Sequence, residues 1–499
     1  LSPEADAGLR LRPVGDTALC AELGDRIDPV VNGRVRALDR ALQERPFPGF
    51  LESVPTHRSL LVCFEPGRAS VEDAAAAVRE LEARTAAREE PSRLHEIAVR
   101  YGGEDGPDLE AVAARAGLTP EGVVSLHCGR EYTAFMLGFL PGFAYLGLLP
   151  EALDTPRLET PRPRVAAGSL GIAGRLTAVY PAASPGGWNL IGRAGARLFD
   201  PEKDPPALLA PGDRVRFRPV ERIEEPTCGP KALPAPANPA FEVLAPGLLT
   251  TVQAAPRLGY RRFGVPGAGP LDAPAQALAN RAVGNEPGAA ALECTVVGPT
   301  LRFLKTTRFA VAGSDLGARL ERADLGAWPV PLGAAVLARP GNVLSFDGRR
   351  SGCRAYVAFA GGIDLPLVLG SRSTDLSGGF GGWLGRALCK ADAFALLPPR
   401  PDAGRPGEAG AEMEIADEVT VRVVLGPQDD HFASEAVERL LSSAFTLRET
   451  SDRVGCRLQG PLLAHVRSPE IASDGMVPGS IQVPPDGQPI VMLADGPTT

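Results

Sequence analysis

A glycine or a proline interrupts this chain at about every fifth residue, with 57 glycines and 50 prolines among 499 positions. Long helices do not survive that density of breakers, because proline removes a helical donor and glycine adds backbone freedom. The intervening stretches are rich in Val, Leu and Ala, which suits short strands joined by tight turns. At 44% hydrophobic residues the chain can bury several cores, and its length allows about three domains of 100–200 residues.

The formal charge of -8 argues against nucleic acid as a partner. Eight cysteines are scattered singly, without a CxxC pair, as expected of free thiols in a reducing compartment. The first sixteen residues lack the apolar core of a signal peptide, and no apolar run reaches membrane-spanning length. A cytoplasmic protein with no membrane partner is the expectation.

Residues 9–100 read as a small α+β unit. Val31, Val35, Leu38 and Leu42 fall at helical spacing, as do Val71, Ala74, Val78 and Leu81. Strands are expected at 50–54, 59–64 and 96–101. Residues 108–128 carry Asp108 as an N-cap, Gly117 at a turn and Thr119-Pro120 opening a second helix. That is the outline of a helix-turn-helix, yet 121–126 offers no Arg or Lys to reach phosphates, so two packed helices are expected instead. Beyond a glycine-punctuated stretch at 135–217, residues 222–240 form a Pro/Ala-rich linker. Helices are expected at 273–283, capped by Asp272 and stopped by Gly284, and at 431–442, with Phe432, Val437, Leu440 and Leu441 as its buried face. The run Ala167-Gly-Ser-Leu-Gly-Ile172 is echoed by Pro478-Gly-Ser-Ile-Gln-Val483, the mark of a β-structure used more than once.

Several chemistries are excluded locally. No GxxxxGK[ST] loop, no GxSxG elbow and no zinc spacing among the five histidines occurs. No lysine sits beside a methionine, the usual context for attached biotin. What the chain does carry is HCGREYTAFMLGFLPGFAYLG at 127–147, where Phe139, Phe143 and Tyr145 stand among glycines. Aromatic side chains there can wall a pocket, and the glycines permit close backbone approach.

Those residues, with the PRPR run at 161, Gly168-Ser169, Tyr180-Pro181 and Ser184-Pro-Gly-Gly-Trp188, resemble allophanate hydrolase subunit 1, the family of the B-type 5-oxoprolinase subunit and of a histidine-kinase inhibitor. PGLLTTVQ at 246, GYRRFGVP at 259, Ala279-Asn-Arg281, GSRST at 370, SDRVGCRL at 451 and SDGMVPGSIQVPPDGQPIVMLAD at 473 resemble allophanate hydrolase subunit 2, the family of the C-type 5-oxoprolinase subunit. The chain is thus similar to a fusion of the two. The resemblance implies a mainly β protein with α+β character: a small N-terminal α+β domain followed by cyclophilin-like β-barrel domains. The corresponding boundaries are 1–93 for the α+β domain, 94–221 for the first barrel, 222–240 for the linker and 241–397 for the first barrel of the second unit. Residues 398–418 are expected as an excursion and 419–499 as the remainder of that unit.

The resemblance also implies an ATP-dependent opening of 5-oxoproline to glutamate, with Mg and a separate third subunit, and kinship with the carboxyltransferase of urea amidolyase. Alternatives are carboxyl transfer to an amide from biotin on a separate carrier, and inhibition of a histidine kinase. A homo-oligomer is compatible with each. Chemistry on an amide or lactam substrate needs a proton shuttle, a base and donors to an oxyanion. The catalytic candidates are His127, Asp272 and Asp474. Phe139, Phe143, Tyr145 and Ser169 are candidates for the pocket wall. Arg257, Arg372 and Arg453 are candidates for holding a carboxylate, and Gln253, Asn280 and Gln482 for orienting an amide. No metal site is expected. Two departures stand out: Leu176 where the family has Gln, and Ala254 where it has Asp.

Overall fold

The computed structural model describes residues 8–85, 92–224, 233–399, 416 and 418–499. Contacts divide the chain into two units, one of residues 1–228, 258–266 and 423–499, the other of residues 229–257 and 267–422. Part of the linker expected at 222–240, and most of the excursion expected at 398–418, lie outside the described residues.

The first unit begins with a four-stranded antiparallel sheet in the order Arg10–Val14, Ala18–Glu22, Ser59–Phe64, Phe50–Pro55. Helix α1 (Pro29–Glu44) starts where Asp28 accepts from the Val30 and Val31 amides, with Pro29 in the first turn. Helix α2 (Val71–Arg84) is held by a reciprocal Ser70–Asp73 capping box. The pleat sorts side chains by parity: Leu19, Ala21, Leu60, Val62 and Phe64 meet the helices, whereas Ala18, Cys20, Leu61 and Cys63 face the other way. That second face is apolar too, and Val477 helps to cover it.

The barrel follows. Seven strands close in the order Leu176–Val179, Ala144–Gly147, Glu131–Leu137, Arg214–Pro219, Leu94–Tyr101, Asn189–Ala194, Ser169–Ala173. Leu94–Tyr101 and Arg214–Pro219 are parallel neighbours. Helices α3 (Leu109–Ala116) and α4 (Pro120–Cys128) send Leu109, Val112, Ala113 and Val123 into the barrel core, so they close a fold rather than present a DNA-reading face. Gly117 ends α3 in the left-handed region, and the Thr119 hydroxyl caps α4 through the Gly122 amide. Asp108 does not cap α3. Its carboxylate binds Arg162 at 2.7 Å and the Leu190 amide at 2.7 Å, because an amide and a guanidinium compete for it.

The second unit encloses its core between two sheets. One runs Gly326–Pro329, Ala318–Arg322, Val343–Phe346, Thr300–Phe303, Phe241–Ala245, Ala393–Phe394; the other runs Leu249–Gln253, Ala291–Thr295, Arg354–Phe359, Thr307–Gly313, Ala335–Ala338. The barrel expected over 241–397 therefore takes the form of two facing sheets. Strand parity again explains the layering. Phe309, Val311, Ala355, Val357 and Phe359 point between the sheets, while Ala310, Ala312, Tyr356 and Ala358 point out beneath helix α5 (Ala273–Ala282). Alanine on that outer face lets the helix approach closely.

Residues 423–499 differ from expectation. By contact they cluster with the first unit, because Val477 and Asp474 find their partners there. Helix α6 (Ser434–Ser442) buries only Ala436; Phe432, Val437 and Leu440 are half-buried and Leu441 is exposed. The 167–172 echo recurs in geometry: Gly168 and Gly479 have φ of 82° and 92°, each just before a strand. Among the described residues no helix is long and apolar enough to cross a membrane.

Residues 258–266 are pinned to the α+β domain by two buried carboxylates. Glu52 accepts from the Gly259 amide at 2.9 Å, and Asp39 pairs with Arg262 at 2.6 Å. Burial pushes the Asp39 carboxyl up, and Arg262 and Ser53 pull it down. Arg262→Leu strands that carboxylate and is expected to cost on the order of 3 kcal/mol at neutral pH. Because the folded-state pKa of Asp39 then rises further, the deficit relative to wild type should shrink as pH falls towards about 4. Urea denaturation across that range is the check, and a deficit independent of pH would contradict the assignment.

Candidate functional site

The barrel strand Glu131–Leu137 carries a bulge between Ala134 and Met136. Ala134 and Leu137 point into the barrel, and the bulge turns both Phe135 and Met136 outward. They join an outer layer of Phe143, Tyr145, Tyr180 and Trp188. Phe143 is its hub, with ring centroids 5.0 Å from Tyr145, 5.3 Å from Tyr180, 5.4 Å from Phe139 and 5.7 Å from Trp188, all edge-to-face.

The backbone between hub and bulge is constrained. Phe139 has φ of 62°, which a non-glycine residue adopts only where its surroundings enforce it. Its amide donates to the Thr499 hydroxyl at 3.2 Å, and the Gly142 amide donates to the Phe263 carbonyl at 2.8 Å. A Cβ on Gly138 would collide with the Thr499 side chain. Burial pushes the Tyr145 hydroxyl up, and hydrogen bonds with Ser473 and Thr499 oppose the shift.

One polar ring enters this aromatic layer. His57, on the turn after Phe50–Pro55, lies 5.4 Å from Tyr145 and 5.9 Å from Phe135. Asn32 fixes that turn by donating to the Thr56 carbonyl at 3.0 Å and the Phe135 carbonyl at 3.1 Å. His57 is 1% exposed, and its Nδ1 has no hydrogen-bond partner among the described residues. Burial pushes its pKa down to about 3, so the ring is neutral.

The catalytic candidates are not brought together. His127 lies inside the barrel, fully buried, with Nδ1 2.8 Å from the Tyr101 hydroxyl and Nε2 3.0 Å from Thr177. Burial holds its pKa near 3, and both nitrogens are engaged, so it braces the barrel rather than shuttling protons to a substrate. Asp272 caps α5 through the Ala275 amide. Asp474 sits against the α+β sheet, bonded to Ser59 and, at 3.0 Å, to Gln428, with Arg58 at 3.7 Å. Cys20 and Glu22 stand beside it close enough to share an ion. Arg58 and Arg12 already lie 3.5 and 3.6 Å from Glu22, and burial keeps the Cys20 thiol protonated, so this is an ion-pair cluster with donors ill suited to a metal.

The arginines are committed within the chain. Arg453 makes a buried two-pronged pair with Asp495 at 2.8 and 2.9 Å, so the carboxylate it holds is the protein's own. In the second unit Arg257 donates to the Val368 and Ser373 carbonyls and lies over the Phe380 ring at 4.9 Å; Arg372 donates to the Leu365 carbonyl at 2.6 Å. Asn280 donates to the Pro287 and Ala289 carbonyls and pins the loop after α5. Gln253 is fully buried and donates to Thr251 at 3.0 Å and to the Thr374 carbonyl at 3.4 Å. Ser169 is buried at the start of a barrel strand, its carbonyl taking the Tyr180 amide at 2.9 Å. Gln482 is exposed on the two-residue strand Ile481–Gln482. Only Phe139, Phe143 and Tyr145 therefore share a wall. His57 and the loop at 373–385 escaped sequence reasoning; the GGFGG run at 378–382 was the available signal for the second.

Comparison with known proteins matches the same two halves. Residues 9–209 match the model of the carboxyltransferase domain, subdomains C and D, and residues 263–499 that of subdomains A and B. Over 225 residues the chain is 42% identical to the B-type 5-oxoprolinase subunit of Bacillus subtilis, spanning 42% of this chain and 91% of that protein. Over 260 residues it is 37% identical to the C-type 5-oxoprolinase subunit of Escherichia coli, 52% of this chain and 81% of that one. A urea amidolyase from Lachancea kluyveri is 36% identical over 52% of this chain but only 15% of its own length. The crystal structure of TTHA0988 superposes with a TM-score of 0.85 at 38% identity, covering 97% of this chain and 94% of that one.

The two buried histidines predict an acid response. Their folded-state pKa values of about 3 lie below the ordinary imidazole value. The unfolded chain therefore takes up protons first as pH falls, and stability present above about pH 6.5 is lost on the way down to about pH 3. His57→Phe removes one titrating group together with its unpartnered nitrogen. It should match wild type in urea at pH 7 and lose less stability at acid pH. His127→Ala also strips the partners of Tyr101 and Thr177, and should cost about 3 kcal/mol at pH 7. A His57→Phe profile that parallels wild type on acidification would refute the reading.

Proposed function

This chain belongs to the carboxyltransferase-domain family of the B-type and C-type 5-oxoprolinase subunits, and we propose that it serves as both in one polypeptide of an ATP-dependent 5-oxoprolinase. The observation that carries the reading is the serial match: a B-type half and a C-type half, each similar over most of the length of a separate protein. The reaction opens the lactam of 5-oxoproline to glutamate. Water adds across the ring C–N bond, and the carbonyl carbon becomes the side-chain carboxylate while nitrogen leaves as the amine.

The residues fit part of that task. The Phe139, Phe143 and Tyr145 wall offers an apolar, water-poor surface against which a small ring can lie. Neutral His57 lies at its edge, buried against Phe135 and Tyr145. The chain has no Walker-type phosphate loop, so ATP and Mg enter the proposal as requirements of the assembled enzyme, with no phosphate contact assigned here. The separate third subunit belongs to the same proposal. Relatives named urea amidolyase favour carboxyl transfer as the second reading, and they match over a small share of their own length.

The test is ATP turnover by the full chain mixed with its third subunit, with and without 5-oxoproline. Stimulated turnover with release of glutamate is expected, and the chain alone should be silent. Phe143→Ala should lower the stimulated rate at least tenfold, through loss of the ring that organises the wall. Folded components that show no oxoproline-dependent turnover, but transfer carboxyl groups from a carboxylated biotin carrier to urea, would replace this reading with the second.

A further inference from the structure

An arginine is fixed beside the aromatic wall of the first unit by bonds to the backbone around it. Thr155 bridges Gly174, their amides and carbonyls facing one another across the barrel edge. Asn189 Nδ2 donates to the Pro156 carbonyl at 2.8 Å, and the Leu158 amide donates to the Gly187 carbonyl at 2.8 Å. Arg157 is therefore anchored on both sides. The strip that anchors it is part of the wall. A Cβ on Gly186 would strike the Tyr180 hydroxyl, and the Trp188 amide donates to that hydroxyl. Residues 155–158 thus run along the Tyr180 end of the aromatic layer.

The backbone here is held, but the guanidinium is not. Arg157 is exposed and makes no hydrogen bond or ion pair among the described residues. Arg162, five positions on, shows the contrast: it binds Asp108 at 2.7 Å and the Trp188 carbonyl at 3.4 Å. Burial pushes the Tyr180 hydroxyl up to about 12 and the Tyr145 hydroxyl up as well, and the charge of Arg157 opposes both shifts. The cation therefore stands within electrostatic reach of two wall hydroxyls. The wall also keeps open surface. Phe143 and Tyr180 are each 1% exposed and closely packed, whereas Phe139 and Ser473, which bonds to Tyr145, are half-buried. The Phe139 ring meets Tyr180 edge-to-face at 6.4 Å. A small ring has its place on the outer side of Phe139, not inside the aromatic layer.

5-Oxoproline carries a carboxylate on the ring carbon next to the lactam nitrogen, so a site for it needs a cation at the edge of an apolar surface. We infer that Arg157 is the specificity residue of this site, holding the carboxylate of 5-oxoproline while the ring lies on the outer side of Phe139. A guanidinium offers paired N–H donors that match the two carboxylate oxygens. The inference rests on the lactam-opening function proposed above and on its aromatic wall. It goes further by naming the group that separates an anionic lactam from a neutral one. Arg157 reads a part of the substrate whose charge does not change as the ring C–N bond opens. It is a binding residue, and its contribution belongs in KM rather than in kcat.

The experiment uses the full chain assembled with its third subunit, with 5-oxoproline as substrate and uncharged 2-pyrrolidinone as competing ligand. ATP turnover is read against the concentration of each. Arg157→Gln changes an exposed side chain without protein partners and should fold as wild type does. Its KM for 5-oxoproline should rise about tenfold or more, with kcat within about threefold of wild type. Inhibition by 2-pyrrolidinone, which has no carboxylate, should be the same in both proteins, as should KM for ATP. Arg157→Lys should recover part of the loss, since lysine keeps the charge but not the paired donors. A KM for 5-oxoproline unchanged in Arg157→Gln overturns the assignment. So does a rise in KM for ATP instead, which would put a phosphate on this arginine. When either result comes with wild-type turnover intact, the residue assignment alone is wrong. If wild type shows no oxoproline-dependent turnover, the functional reading falls and the inference falls with it.

Discussion

Strands buried on both faces govern this molecule. In the α+β sheet, the barrel and the five-stranded sheet of the second unit, side chains of both parities are apolar. Such a sheet must be covered twice, and the cover has to come from somewhere in the chain. The inner faces are covered by the barrel's closure, by α1 and α2, or by the opposing sheet. The outer faces take what remains: α5 over alanines in the second unit, and in the first unit the His57 turn, residues 258–266 and residues from 473 onward. Parts of the first unit distant in sequence are therefore bound together because the barrel and the α+β sheet each have a second hydrophobic face.

The same demand explains why so many polar motif residues are spent inside the protein. Irregular segments that cover an apolar face bring carbonyls and amides with them, and these groups need partners away from water. Arg257, Arg372, Asn280 and Asn32 supply those partners, each donating to backbone carbonyls. Arg453 and Asp495 satisfy one another while out of water. A guanidinium engaged in this way orders a loop instead of capturing a substrate.

Periodicity made much of the fold legible. The 3.6-residue spacing located α1 and α2, the glycine density forecast a strand-rich protein, and Thr119-Pro120 marked the start of α4. The aromatic wall was readable because Phe139, Phe143 and Tyr145 occur within seven residues. Other features depended on contacts that no local pattern encodes. His127 stands beside the aromatic segment in sequence, but it ends a helix that plugs the barrel, and Tyr101 and Thr177 meet it from distant strands. Asp108 has the residue type and position of a cap, yet Arg162 and the Leu190 amide take its oxygens. The placement of residues 423–499 was hidden for the same reason, since Asp474 meets Ser59 across 415 positions.

The alanine at 254 shows how a departure from the family pattern can be absorbed. Its methyl group lies in the core between the two sheets, 5% exposed. Its amide and carbonyl are both bonded to the Ser373 hydroxyl at 2.9 Å. An aspartate here would place a carboxylate among apolar side chains, where an ionised form is strongly disfavoured without a cation or donors. Ser373 is already occupied by the backbone, so supplying that carboxylate would require the 371–375 segment to rearrange. The alanine thus goes with a strand end locked to its neighbouring loop.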